Sequence, residues 1–212
     1  MTFTTQDADN YFARNAGKYT GREPHHEVPA LLDAAKHIGT ARRILEVGCA
    51  NGYLGNLLAM ELGADQWGFD LSPVAIADGM RRFPGAALVC EGIDEFFEVE
   101  DNFDVIFLGF SAYLMPNILD VLGKCDRYLE PGGFMIVVDF DHPQTSKLEY
   151  SHNRDAYSYR HRIVDTLLAT RLYSLVYKTP TAGFNKDPYE RISLSLLYKE
   201  PQAYALAQRK AS

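Results

Sequence analysis

The chain reads as an α/β protein built on a doubly wound, mostly parallel sheet that closes with a C-terminal antiparallel hairpin. Three observations carry this expectation. Between residues 41 and 140, short apolar runs alternate with stretches of helical period. Those runs are continuously apolar, as strands covered on both faces are. The last two runs instead alternate in polarity, and TPTAGFNKDPYE between them leaves no room for a crossover helix.

Taken in order, residues 7–19 and 25–37 have helical spacing and form a cover ahead of the first strand. ARRILEVG (41–48) is a buried strand ending on Gly48, followed by a helix over 51–62. QWGFDLS (66–72) is the second strand, and the helix over 73–82 opens with a proline, which suits a first helical position. AALVCEG (86–92) and FDVIFLGF (103–110) are the third and fourth strands. An amphipathic helix spans 116–129, and PGGFMIVVDF (131–140) is a turn running into the fifth strand. A helix over 163–170 then leads to the alternating runs 170–178 and 191–199. One domain, 1–212, thus divides into a helical cover (1–40), a ligand-binding core (41–140), a loop (141–162), and a last helix with an edge hairpin (163–200).

Composition narrows the setting. Hydrophobic residues make up 47% and charged residues 23% of the 212, a globular balance. The most apolar run, 105–115, is too short to cross a bilayer, so no membrane association is expected. The first residues show no basic segment followed by an apolar one, and the three cysteines form no CxxC pair, so a reducing, cytoplasmic setting is expected and no metal site. Net charge is −7, but unevenly spread: residues 1–141 hold 10 Lys and Arg against 22 Asp and Glu, and residues 142–212 hold 11 against 6. That basic third contains SHNRDAYSYRHR (151–162), rich in histidine, tyrosine and arginine.

In an open α/β sheet, ligands bind beyond the carboxyl ends of the strands. Here the first strand runs into E-V-G-C-A-N-G-Y-L-G (46–55), and Asp70 ends the second strand 22 residues beyond Gly48. An acid there suits the two hydroxyls of a ribose. A dinucleotide oxidoreductase would want G-x-G-x-x-G, with pyrophosphate on the loop amides. The chain has Ala50 at the second glycine and Glu46 two residues before the first. A carboxylate at that place favours a cofactor bearing an ammonium group over one bearing phosphates.

The segments E-V-G-C-A-N-G, G-F-D-L-S-P, C-E-G-I-D-E-F-F, F-D-V-I-F-L-G-F and L-E-P-G-G-F-M-I-V-V follow one another in an order that resembles the class I S-adenosylmethionine (SAM)-dependent methyltransferases. The likeness covers most of the chain and departs at Ala50. It implies a Rossmann-like, seven-stranded sheet whose last strand inserts antiparallel. It implies SAM as cofactor, with Asp70 and the adjoining Leu71 at the ribose and Glu46 at the ammonium group. Gly48, Cys49, Asn51 and Gly52 would form the glycine loop. Gly92 with Ile93 or Asp94 would cup the adenine, and Gly109 and Phe110, after the fourth strand, would contact the cofactor. Tyr19, with Tyr11 and Arg14, would close over the cofactor from the leading helix.

Methyl transfer asks the protein to orient an acceptor and exclude water; a hydroxyl acceptor also needs a base. His142, just beyond strand five, and His161 are the candidate bases, with Tyr113 beside them as a catalytic group. If 151–162 is extended, Tyr157, Tyr159 and His161 share one side and Ser158, Arg160 and Arg162 the other. His152, Arg154, Tyr157, Tyr159 and Arg160 are therefore expected to bind the acceptor. The favoured reading is methylation of oxygen or nitrogen on a polar small molecule, sugar-containing or a secondary metabolite. Two alternatives stand beside it. An RNA or DNA methyltransferase would use the 151–162 loop, though the acidic balance weighs against nucleic acid; an NAD-dependent oxidoreductase would use the glycine loop. A homodimer is left open.

Overall fold

The protein is described by a computed structural model covering residues 3–96, 102–181 and 191–201. Its elements in chain order are α1 (Thr5–Arg14), α2 (Ala16–Tyr19), α3 (Val28–Ile38), β1 (Arg43–Val47), α4 (Tyr53–Leu62), β2 (Asp65–Asp70), α5 (Pro73–Arg82), β3 (Ala87–Cys90) and α6 (Ile93–Phe96). There follow β4 (Phe103–Gly109), α7 (Ile118–Tyr128), β5 (Leu129–Phe140), β6 (Ser146–Tyr150), β7 (Asn153–Arg160), α8 (Ile163–Ala169), β8 (Tyr173–Pro180) and β9 (Ile192–Lys199).

Seven strands form one sheet in the order β3-β2-β1-β4-β5-β9-β8. The pairs from β3 to β5 are parallel, whereas β9 runs antiparallel to both β5 and β8. The expected architecture is therefore present, including the terminal antiparallel pair; its link, 182–190, lies outside the described residues. The sheet is central because both of its faces are apolar. Leu45, Val47, Ile106, Leu108, Met135 and Val137 pack on one side, and Ile44, Val105, Phe107, Ile136 and Val138 on the other. Burying side chains of that size contributes about 1.5–3 kcal/mol each.

Two departures bear on function. The segment expected as a loop over 141–162 is a β-hairpin, with β6 paired antiparallel to β7 from Ser146 opposite Arg160 to Tyr150 opposite Asn153. The short helix α6 lies just after β3, in a stretch for which no helix was expected. At the other end, α1 begins with a capping box: the Thr4 hydroxyl accepts from Asp7 N–H, while the Asp7 carboxylate accepts from Thr4 N–H at 3.0 Å. Asn153 of the hairpin donates to the same Asp7 carboxylate at 2.7 Å. The cover helix and the hairpin are thereby tied together over the carboxyl ends of β4 and β5.

Candidate active site

Between β1 and α4 the chain turns on three left-handed residues: Gly48 (φ 70°), Ala50 (φ 49°) and Gly52 (φ 74°). Gly48 also needs its missing side chain, since a Cβ there would stand 2.7 Å from the Ser111 Cβ. The Asp70 carboxylate accepts from Ala50 N–H at 2.8 Å and from Ser72 N–H at 2.9 Å. Burial pushes its pKa up, and these amides offset only part of that. Asp70 thus clamps the turn to the start of α5 while facing a cavity of about 290 Å³. Gly48, Ala50, Leu71, Gly92, Ile93 and Asp94 line the same cavity, and Tyr19, Gly109 and Phe110 close its far side. A carboxylate at the bend and an apolar slot between Phe69, Leu71 and Ile93 fit a nucleoside: hydroxyls on the acid, a flat base in the slot. Asp94 also holds Lys124 in an ion pair.

Other loop residues support this turn from behind. Glu46 is 2% exposed, is absent from the cavity wall, and accepts from Gly55 N–H at 2.8 Å in the first turn of α4. Burial raises its pKa to about 8. Cys49 is buried behind the turn. Asn51, fully buried, donates to the Tyr19 carbonyl at 3.2 Å and to Asp78 at 2.8 Å, holding α2 against α5. Gly52 is the left-handed cap from which α4 starts. These four expected cofactor residues are drawn behind the turn because each satisfies a buried backbone or packing demand there.

A second cavity, of about 340 Å³, adjoins the first and shares Tyr11, Tyr19, Gly109 and Phe110 with it. Phe110 has φ 58°, a conformation costly for an aromatic residue, held by its N–H donating to the Val138 carbonyl at 3.0 Å. Its ring packs on Tyr113 and Phe140. The hydroxyls of Tyr19, Tyr11, Tyr113 and Tyr150 interact in sequence, and Arg14 donates to the last at 2.9 Å. Burial raises all four pKa values, Tyr11 to about 12, so the row keeps its protons at neutral pH. Tyr113 accordingly sits in the wall as a protonated hydroxyl hydrogen-bonded to its neighbours. Arg160 lies 3.6 Å over the Phe140 ring and lines the cavity, as do His152, Ser158 and Lys18.

The hairpin separates the remaining candidates. Alternation along β7 turns Ala156, Ser158 and Arg160 inward, while Tyr157 and Tyr159 lie on the outer side and line neither cavity. Tyr157 receives Lys147 over its ring at 3.7 Å, and Tyr159 stacks on His161. Arg154 is exposed. His142 and His161 line a separate polar recess with Asp139, Ser193 and Ser195. His161 donates from Nε2 to the Met115 carbonyl at 2.9 Å, and burial holds its imidazole pKa down, that bond acting the other way. Neither histidine lines the first or the second cavity.

Two groups that sequence reasoning passed over do line the second cavity. His25 Nδ1 lies 2.5 Å from the Glu27 carboxylate, both side chains less than 10% exposed. Tyr150 completes the hydroxyl row. A His-x-Glu just ahead of an apolar helix was the visible signal for the first; nothing local marked the second. Among the described residues, no group of three or more His, Cys, Asp or Glu side chains could hold a metal ion, and no helix is long and apolar enough to cross a membrane.

Comparison with known proteins decides between the two readings of the glycine loop. The methyltransferase-domain family model matches residues 44–133, from β1 to the start of the β5 run. Over those residues the chain matches a methyltransferase domain, which favours the SAM reading of the loop over the dinucleotide one. Among curated relatives, the demethylmenaquinone methyltransferase of Chlorobaculum tepidum is 24% identical over 200 residues, covering 84% of this chain and 81% of its own length. Further curated methyltransferases are matched over about half of their length. Two solved structures show the same fold. The N-methyltransferase NodS from Bradyrhizobium japonicum WM9, in complex with S-adenosylhomocysteine (SAH), has TM-score 0.63 at 19% identity, covering 82% of this chain and 85% of its own. The Burkholderia thailandensis 1,6-didemethyltoxoflavin-N1-methyltransferase, with bound 1,6-didemethyltoxoflavin and SAH, has TM-score 0.68 at 15% identity, covering 92% and 88%.

Proposed function

We propose that this methyltransferase moves the methyl group of SAM onto an oxygen or nitrogen of a small polar molecule seated in the second cavity. One observation carries the reading: the second cavity adjoins the cofactor cavity through the strained Gly109–Phe110 corner, so an acceptor there faces the methionine end of a cofactor bound against Asp70. SAM, when bound, supplies an electrophilic methyl group on a sulfonium. The chain's own work is binding, orientation and exclusion of water. Asp70 would hold the ribose, the Leu71–Ile93 slot the adenine, and the Gly48–Ala50 backbone the cofactor's inner edge. Phe110, Phe140 and the four tyrosines supply flat apolar faces with hydroxyls, suited to a ring-bearing acceptor. Arg14, Lys18 and Arg160 supply positive charge, suited to a carboxylate or phosphate on that acceptor.

The names of the relatives support a small-molecule acceptor, since they act on demethylmenaquinone or bind 1,6-didemethyltoxoflavin. Nucleic acid is disfavoured by the hairpin itself: Tyr157 and Tyr159 of β7 lie on the face opposite to Arg160 and make no continuous basic, aromatic strip with it. Calorimetry tests the cofactor assignment. Asp70→Ala should weaken SAH binding by about ten- to a hundredfold, the worth of one or more hydrogen bonds to a charged group, and Asp70→Asn by less, because its amide oxygen still accepts from the loop. Undiminished affinity in both variants would overturn the ribose role. An activity screen of ring-bearing acids and amines, read as SAH formed, tests the acceptor class.

A further inference from the structure

His25 stands in the wall of the second cavity, between the edge of Tyr19 at 5.6 Å and the face of Tyr53 at 6.1 Å. Its Nδ1 is occupied by the Glu27 carboxylate at 2.5 Å. Its Nε2 is shut off from water and has no hydrogen-bond partner in the protein. A desolvated nitrogen without a partner is rare in native structures and points to a group supplied from outside the chain. A carboxylate on Nδ1 keeps the proton on that nitrogen and leaves the lone pair on Nε2, the arrangement by which acids orient imidazole bases. The burial of Glu27 would raise its pKa, but its hydrogen bond with His25 outweighs this and holds it low, so it remains a carboxylate. Around it, the tyrosine hydroxyls keep their protons, and His152 at the rim is exposed.

We propose that His25, oriented by Glu27, is the general base of this methyltransferase, and that its acceptor is a hydroxyl on a small ring compound. This rests on the reading of the second cavity as the acceptor site. The acceptor's O–H bond breaks and its proton passes to Nε2. The oxygen's electron pair forms the new bond to the methyl carbon, while the old carbon–sulfur bonding pair stays on sulfur, giving SAH and a methyl ether. The imidazolium, balanced by Glu27, then gives the proton up once the product leaves and the wall of the cavity opens Nε2 to solvent, from which it is shut off in this structure. An amine arriving uncharged already presents a lone pair and needs no such base before transfer, so the dyad selects for hydroxyl acceptors.

The test compares a panel of mono- and dihydroxybenzoates with the matched aminobenzoates, whose carboxylate offers Arg14, Lys18 and Arg160 a partner. Wild type should methylate members of the hydroxyl panel and prefer them to the amines. His25→Asn should lower kcat by about 10²–10⁴-fold, with SAH affinity by calorimetry and thermal midpoint unchanged. Glu27→Gln should lower kcat by about tenfold at constant KM, and Glu27→Asp should recover part of the loss. Independently of turnover, ¹⁵N NMR of histidine-labelled protein should show Nδ1 protonated and Nε2 bare, with Nε2 shifting when a hydroxybenzoate is added to the SAH complex. Full activity of His25→Asn on hydroxyl acceptors, methylation of amines alone, or an Nε2 resonance that no panel member moves would each overturn the proposal. Loss of SAH binding by wild type would overturn the underlying site reading instead.

Discussion

Ala50 occupies the left-handed region with φ 49°, at the place where the family motif carries glycine. A Cβ there costs about 1–2 kcal/mol, while a glycine would add about 0.5–1 kcal/mol of unfolded-chain entropy. Ala50→Gly should therefore stabilise the apo protein slightly, raising its melting temperature by roughly 1–4 °C on the scale for a chain of this size; a clear fall would show that the methyl group is needed in its contacts with Phe12 and Ala75. Glu46 makes a different prediction. Its folded pKa of about 8 lies above the ordinary 4.5, so the folded state binds the extra proton. The stability it contributes is complete below about pH 4.5 and is lost as pH rises through 8. Melting curves should therefore fall between pH 6 and 8.5, and Glu46→Gln, which still accepts from Gly55, should flatten that fall. A residual slope is expected from Asp139, raised by burial to about 7; an unchanged slope would contradict a buried, protonated Glu46. Asp70 was legible in the sequence because a strand, a glycine turn and an acid at fixed spacing sit within 25 residues. His25 was not, because its partners Tyr53 and the second-cavity wall come from distant segments.

At the scale of elements, the hairpin β6–β7 is where sequence and structure part. Its inward positions are Ala156, Ser158 and Arg160 and its outward ones Tyr157 and Tyr159, so the usual apolar-in, polar-out alternation is reversed. A strand that walls a polar cavity reads as a loop for that reason. The same reversal turns Arg160, rather than Tyr157 and Tyr159, toward the second cavity, where its guanidinium covers Phe140. Arg160→Ala should raise KM for anionic acceptors by about tenfold while SAH affinity stays level, and cost about 0.5–2 kcal/mol in stability through the lost ring contact. Equal KM values for charged and uncharged acceptors in wild type would remove Arg160 from recognition. His142 and His161 fell away from the site by the same geometry. Asp141 leaves β5 to bond with the Arg191 carbonyl, carrying His142 toward β9, and Met115 captures His161.

Over the whole molecule, strand order reverses between β1 and β4, and the cofactor cavity opens there, where both neighbouring loops leave the sheet in opposite directions. The sequence by itself determined the parallel core, the antiparallel end and the cofactor turn, because each rests on local signals: continuous apolar runs, alternation, and left-handed glycines at short spacing. The tertiary structure decided which side chains line the second cavity. Helix α1, the His25–Glu27 pair, the Phe110 corner and the hairpin are brought to one cavity by contacts such as Asn153 to Asp7, 146 residues apart, and Arg14 to Tyr150, 136 apart. Such contacts leave no period in the chain, since each depends on where the sheet places its carboxyl ends.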